Sequence, residues 1–324
     1  AAQRLPGGGR REFFLALFGP LSLLGLLVAW AVILVVGFAV LLYGSGSDLA
    51  GPDGQATFME TLYTSGVTFF TLGFGDFIPD DPAGQALAVI EVGTGFGFLA
   101  LVVSYLPVLY QAFSGREVAV TLLDARSGSP PTAAGLLQRW SVGQDEADLR
   151  LQMRDWELWC AELLERHLSF PPLAFYRSQH ERESWLGALT VILDTSAIVV
   201  AGGRRPVAHS AWLTFAIARH AAVDLAQVAV GRDAPSEVVR GSVPDLPQMH
   251  ARLTEVGVFD RELPAFEARL AVLRAAYEPY VMMLSNYLLL SLPSWVPDDS
   301  QPDDWMTSPW QGSMGDLAGE IGEL

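Results

Sequence analysis

The chain has 324 residues, is 51% apolar, and still carries a formal net charge of −16. A single soluble domain does not reconcile these values, whereas an apolar membrane part joined to an acidic aqueous part does. The acidity excludes a nucleic-acid partner, because phosphate neutralisation needs clustered basic side chains. The lone cysteine, Cys160, excludes an intrachain disulfide and suits a reducing compartment.

In chain order, residues 1–12 form a short segment carrying Arg4, Arg10 and Arg11. No basic residue follows until Arg116, and the charges between are all acidic: Glu12, Asp48, Asp53, Glu60, Asp76, Asp80, Asp81 and Glu91. Phe13–Tyr43 is uncharged and almost wholly apolar, longer than the ~20 residues that cross a bilayer as helix. A second apolar stretch runs from Ala83 to about Phe113, broken by Glu91 alone. Residues 13–115 are therefore read as a membrane domain with two spanning helices. Arginines flank the pair on both outer sides (Arg4, Arg10 and Arg11 before; Arg116 and Arg126 after). Both termini are thus expected in the cytoplasm of a cell carrying this chain in its cytoplasmic membrane, with the loop 44–81 outside. Arg10-Arg11 ahead of an apolar run also resembles a twin-arginine export signal, but the run is too long for a signal core.

The outer loop opens irregularly over 44–55, rich in Gly and Asp. Thr57–Phe70 then reads as a short helix, with Thr57 at its N-cap and Glu60 completing a capping box. It is too short to span and leads straight into Thr71-Leu72-Gly73-Phe74-Gly75-Asp76. A short helix, a glycine turn and a return to the same side describe a re-entrant loop, which is tolerated only where buried in protein or lining an aqueous path. Alternate glycines permit φ values that L-residues resist, so that successive carbonyls can face one side. Four copies about an axis would stack these oxygens into rings that replace the hydration shell of a monovalent cation, with the Thr71 hydroxyl adding the innermost ring.

Residues 71–76 resemble the signature filter of potassium channels. The likeness extends over a pore helix and filter, 57–79, and over both flanking spans as a two-transmembrane pore domain with one pore loop per chain. The resemblance implies potassium ions held by the backbone oxygens of Thr71, Leu72, Gly73 and Phe74, with Gly75 at the outer end. It implies that Asp76 anchors the filter from behind, with Tyr63 as its hydrogen-bond partner. It also implies a homotetramer, since one pore loop per chain supplies a quarter of each ring. Two positions depart from the commonest pattern: Phe70 stands where many relatives carry Thr, and Val67 where some carry a buried carboxylate.

Glu91 has two open readings: a brace to the pore helix or filter, or a side chain near the outer interface that reaches water. Gly93, Gly95 and Gly97 follow it in the second span. In related channels an inner-helix glycine is a gating hinge, and Gly95 lies at the equivalent distance; close helix packing is the other use of such glycines. Pro107 is expected to kink the helix near its inner end. The acidic loop residues Asp48, Asp53, Asp80 and Asp81 either concentrate cations at the mouth or are simply solvated.

Residues 116–292 read as a helical cytoplasmic domain, with helical periods over 145–168, 181–201, 207–230, 246–257 and 261–291. Apolar stretches within 185–200 and 211–230 are interrupted by Asp194 and by Arg219, His220 and Asp224, and are taken as core helices rather than spans. No nucleotide-binding glycine turn, Walker loop or calcium loop is present. Gly202-Gly203 is followed by Arg204-Arg205-Pro206 and fails the pattern. His167, His209, His220 and His250 lack metal-ligand spacing, and Cys160 sits among Trp156, Trp159 and Leu163 as a core residue. The cluster from Arg177 to Trp185 is read as a capped helix start, with a ligand pocket as the other possibility. Residues 293–324 are expected to be a poorly ordered acidic tail. The expectation is an all-α protein, not an enzyme and without an organic cofactor: a potassium-channel subunit in contact with membrane lipid. Its helical domain would gate or assemble the pore and could take an unidentified cytoplasmic ligand. The alternatives are a weakly selective cation channel and a membrane-tethered helical sensor with a vestigial pore.

Overall fold

The structure, a computed structural model, describes residues 9–47, 49–50, 56–143, 146–178, 183–231, 240–244, 246–255 and 259–297. The all-α expectation holds: ten α-helices are found among these residues, with strand pairing confined to two short segments and one isolated bridge. The chain divides into two compact units, residues 1–111 and 112–324. Arg4, Asp48, Asp53, His180 and the segment 298–324 lie outside the described residues.

The first unit contains α1 (Gly9–Gly44), α2 (Phe58–Phe69) and the opening part of α3 (Pro82–Ser127). Its apolar side chains are turned outward. Leu24, Val28, Val32, Ile33 and Val40 on α1, and Val89, Ile90, Phe96 and Val103 on α3, are all exposed. A surface of that size and character needs an apolar neighbour, either lipid or another chain. Pro20 lies inside α1 and Pro107 inside α3, and both helices continue through them. Strands β1 (Leu49–Ala50) and β2 (Ile78–Pro79) pair antiparallel, tying the loop before α2 to the residues that follow the glycine turn.

The second unit reverses the pattern. Its helices are the remainder of α3, then α4 (Ala133–Gly143), α5 (Glu146–Ser169), α6 (Trp185–Gly202), α7 (Val207–Val230), α8 (Leu246–Glu255), α9 (Leu263–Ala275) and α10 (Glu278–Leu288). All eighteen residues of α6 are buried, packed against α4, α5, α7, α9 and α10. Among the described residues, part of α1 and the helices α3, α6 and α7 are long and apolar enough to cross a membrane. The complete enclosure of α6 by its own chain leaves it no face for lipid, consistent with its reading as a core helix.

Several sequence expectations need correction here. The second apolar helix does not end near 113 but runs as one α-helix to Ser127. Arg116, counted as a flanking charge, is 1% exposed and donates to the carbonyls of Leu173 (2.9 Å) and Tyr176 (2.7 Å). Helix α4 was not anticipated, because Pro130, Pro131 and Gly135 mask its short apolar pattern. The helix expected over 261–291 is two, since Pro279 in the first turn of α10 starts a new helix. Finally, the supposed tail from 293 begins with packed residues. Trp295 is buried, with the guanidinium groups of Arg240 and Arg274 over its ring at 4.8 and 5.1 Å.

Candidate functional site

The site is the turn that leaves α2, and its geometry starts at the helix cap. Thr57 accepts from the Glu60 amide, and the Glu60 carboxylate accepts from the Thr57 amide at 2.6 Å, the anticipated capping box. At its other end α2 closes with a Schellman motif. The Leu72 N–H donates to Val67 O (2.9 Å) and the Thr71 N–H to Thr68 O (3.0 Å). That motif puts its first residue beyond the cap in the left-handed region, a place usually taken by glycine. Here it is Thr71, at φ 57°. A β-branched residue in that region is strained by about 1–3 kcal/mol, and such strain persists where surrounding structure imposes it.

The sign of φ then alternates. It is positive at Thr71, at Gly73 (59°) and at Gly75 (77°), and at neither Leu72 nor Phe74. Leu72 and Phe74 are 59% and 67% exposed within the single chain, and a Cβ added at Gly73 or Gly75 would meet nothing within 4 Å. The two glycines therefore serve backbone conformation and not packing within the subunit. Beyond the turn, Tyr63 stands close enough to Asp76 for their side chains to interact, and its ring meets Phe77 edge-on at 6.2 Å. Asp81 accepts from the amides of Ala83 and Gly84, both at 3.0 Å, and so caps α3. Hydrogen bonds from the Gly84 amide and the Ser47 hydroxyl hold its carboxyl below the usual carboxylate range.

Behind the turn, α3 approaches α2 closely at one glycine. A Cβ on Gly95 would stand 1.9 Å from the Phe69 carbonyl oxygen, whereas at Gly93 and Gly97 it would meet nothing within 4 Å. Of the three glycines, Gly95 alone is required by packing inside the subunit, and it is the one singled out as a hinge. Phe69 itself is fully buried, with Phe98 at 5.8 Å between ring centroids. Phe70 is half exposed and Val67 buried.

Glu91 is 3% exposed, which removes the reading in which it reaches water. It is in hydrogen-bond contact with the Ser65 hydroxyl on α2. The same hydroxyl lies 2.7 Å from the Val35 carbonyl oxygen of α1, so one serine connects all three helices of the unit. Sequence reasoning named Glu91 but missed Ser65. The available signal was one acid in an apolar span beside a short helix that carries hydroxyls at Thr61, Thr64, Ser65 and Thr68.

The residues singled out in the second unit form no catalytic or metal-binding constellation, and no cluster of three metal-ligand side chains occurs among the described residues. Ser184 caps α6 through the Gly187 amide (2.9 Å), as the reading of a capped helix start expected, while Arg177 donates to the carbonyls of Leu288 and Leu289 at the end of α10. Cys160 is buried, and burial pushes its thiol well above the ordinary range. His167 is buried too. Its Nδ1 lies 2.8 Å from the Leu163 carbonyl, and its ring is 4.7 Å from that of Trp185. Burial first, and then the nearby Arg116 charge, lower it to about 3. The densest polar group is a buried ion cluster. Asp194 accepts from Arg240 Nη2 at 2.5 Å and from the Tyr277 hydroxyl, while Glu278 accepts from Arg274 Nε at 2.8 Å and from the Arg240 amide at 3.0 Å.

Residues 25–111 match a protein family described as an ion channel family. The chain is also 27% identical over 187 residues to an uncharacterized membrane protein, YdjJ, of Bacillus subtilis (strain 168). That alignment takes in 57% of this chain and 54% of the relative, so the chain spans about half the length of the curated relative it matches. The alignment is longer than the ion-channel segment and therefore extends into residues beyond 111. No solved structure matches.

Proposed function

We propose that four copies of this chain, whose residues 25–111 match an ion channel family, form a potassium-selective pore. The filter would be lined by the backbone oxygens of Thr71, Leu72, Gly73 and Phe74, with Gly75 at its outer end and Asp76 and Tyr63 supporting it. The observation that carries this reading is the alternation of φ sign at Thr71, Gly73 and Gly75, placed at the end of a capped helix between two apolar spans.

The chemistry follows from the backbone. Carbonyl dipoles are strong oxygen donors with no net charge, so rings of them stabilise a dehydrated monovalent cation and leave it free to move on. The subunit supplies one strand of that lining, and the exposed Leu72 and Phe74 side chains await neighbours that a tetramer would provide. In this reading both termini lie in the cytoplasm, the outward apolar faces of α1 and α3 meet lipid and neighbouring subunits, and the second unit gates or assembles the pore. Asp80 and Asp81 carry negative charge at the outer mouth and favour cation entry.

The test uses the full chain in liposomes loaded with potassium. Potassium efflux is expected from the wild type, together with a four-subunit particle by native mass spectrometry. Gly73→Ala, which forces an L-residue to φ 59°, is expected to abolish efflux and leave the particle intact. A well-folded tetramer that conducts no monovalent cation under any gating condition would contradict the reading.

A further inference from the structure

Ser65 has one hydroxyl proton and two oxygen neighbours. One is the carbonyl of Val35, at 2.7 Å, which accepts and cannot donate. The other is a carboxyl oxygen of Glu91. If the serine proton points to Glu91, its oxygen faces the Val35 carbonyl lone pair to lone pair at hydrogen-bond distance. If the proton points to Val35, the contact with Glu91 requires a proton on the carboxyl group itself. Only the second arrangement satisfies both contacts.

Charge balance leads to the same place. An ionised carboxylate that is 3% exposed needs a compensating cation, because transfer of an isolated charge from water into a low-dielectric interior is prohibitive and the group neutralises instead. Residues 12–115 contain no Arg, Lys or His. Neighbouring copies of the same segment cannot supply one either. Asp194 and Glu278, buried in the second unit, do have such partners, Arg240 and Arg274.

We propose that Glu91 is a protonated carboxylic acid whose O–H donates to Ser65, which in turn donates to the Val35 carbonyl. This relay, running from α3 through α2 to α1, makes Glu91 a positioning residue for the short helix that carries the turn at 71–76. The protonation stands whether or not the pore conducts, whereas its consequence for the filter rests on the pore reading.

The test is an infrared difference spectrum of the full chain in lipid bilayers at neutral pH, wild type against Glu91→Gln. A carbonyl stretch of a protonated carboxyl group is expected in the wild type and lost in the variant. In Ser65→Ala the band should persist at a shifted frequency. Loss of carboxylate bands only, or a band indifferent to Ser65→Ala, would overturn the proposal. Thermal unfolding supplies a second readout. The Gln amide can donate to Ser65 as the acid does, so Glu91→Gln should melt within about 2 °C of wild type while Glu91→Leu melts lower by several degrees. Equal losses in the two variants would overturn the relay. Neither readout depends on ion flux, so failure of the pore reading would leave both results interpretable.

Discussion

The two units bury charge in opposite ways. In the second, Asp194 and Glu278 are fully enclosed and each meets an arginine, with Tyr277 and Trp295 closing the cluster around them. In the first, Glu91 is nearly as enclosed, and among the described residues its hydrogen-bond partner is a serine hydroxyl. The same contrast governs apolar surface. Helix α6 is buried along its whole length, while α1 and the first part of α3 expose leucines, valines and phenylalanines. One unit encloses an apolar interior of its own. The other is built for surroundings as apolar as itself, where a lone acid has no solvent to escape into and no cation to pair with.

The contrast can be broken most severely at Arg240. Arg240→Ala should destabilise the second unit by about 3–5 kcal/mol, because it leaves two buried carboxylates undercompensated. Denaturant titration of the full chain in detergent would show the loss, and an unchanged midpoint would mean that the cluster is hydrated and not a true interior. Next in size is Gly95→Ala. The added methyl overlaps the Phe69 carbonyl, and the resulting overpacking should cost about 1–3 kcal/mol and displace the end of α2. Gly97→Ala, with open space around it, serves as the control. Loss of stability in Gly95→Ala with no loss in Gly97→Ala would support packing over hinge as the requirement at this position, and equal behaviour of the two would contradict it.

His167 sharpens the account of the second unit through pH. Its folded-state value, about 3, lies below the ordinary histidine value of about 6.5, so the unfolded chain takes up the proton first. The group's contribution is complete above pH ~6.5 and should fall by up to about 1.4 kcal/mol for each unit of acidification below that. His167→Phe should flatten this acid limb, as followed by melting temperature against pH. A limb of unchanged slope would mean that water reaches the ring. The smallest effect is expected at Thr71. Thr71→Gly relieves a left-handed β-branched residue and should stabilise the chain by about 1 kcal/mol. If the hydroxyl and backbone of Thr71 serve conduction, the same change should lower potassium flux; a gain in both would make Thr71 a mere helix terminator.

Much of the first unit was legible because it obeys local rules. The capping box at Thr57 and Glu60, the short helix and the glycine spacing at 73 and 75 are one-dimensional signals, and the structure repeats them nearly residue for residue. What could not be read were contacts made across the chain. The Ser65–Glu91 link spans 26 positions, and the pinch of Gly95 on Phe69 joins helices separated by the whole turn. In the second unit the periodicity located α5, α6 and α7, but missed α4 behind its prolines and merged α9 with α10. Trp295 was read as tail and Arg240 drew no reading, until Asp194, 46 residues before Arg240, supplied the reason for their burial.

The proposed pore stands on potassium selection by residues 71–76. Its most direct test is the reversal potential of the purified full chain in a planar bilayer, with potassium on one side and sodium on the other. The account predicts a reversal potential close to the potassium equilibrium value, and its collapse toward zero or loss of current in Gly73→Ala. A wild-type reversal potential near zero would show a pore that passes both cations alike, and would contradict the assignment of these six residues as a potassium filter.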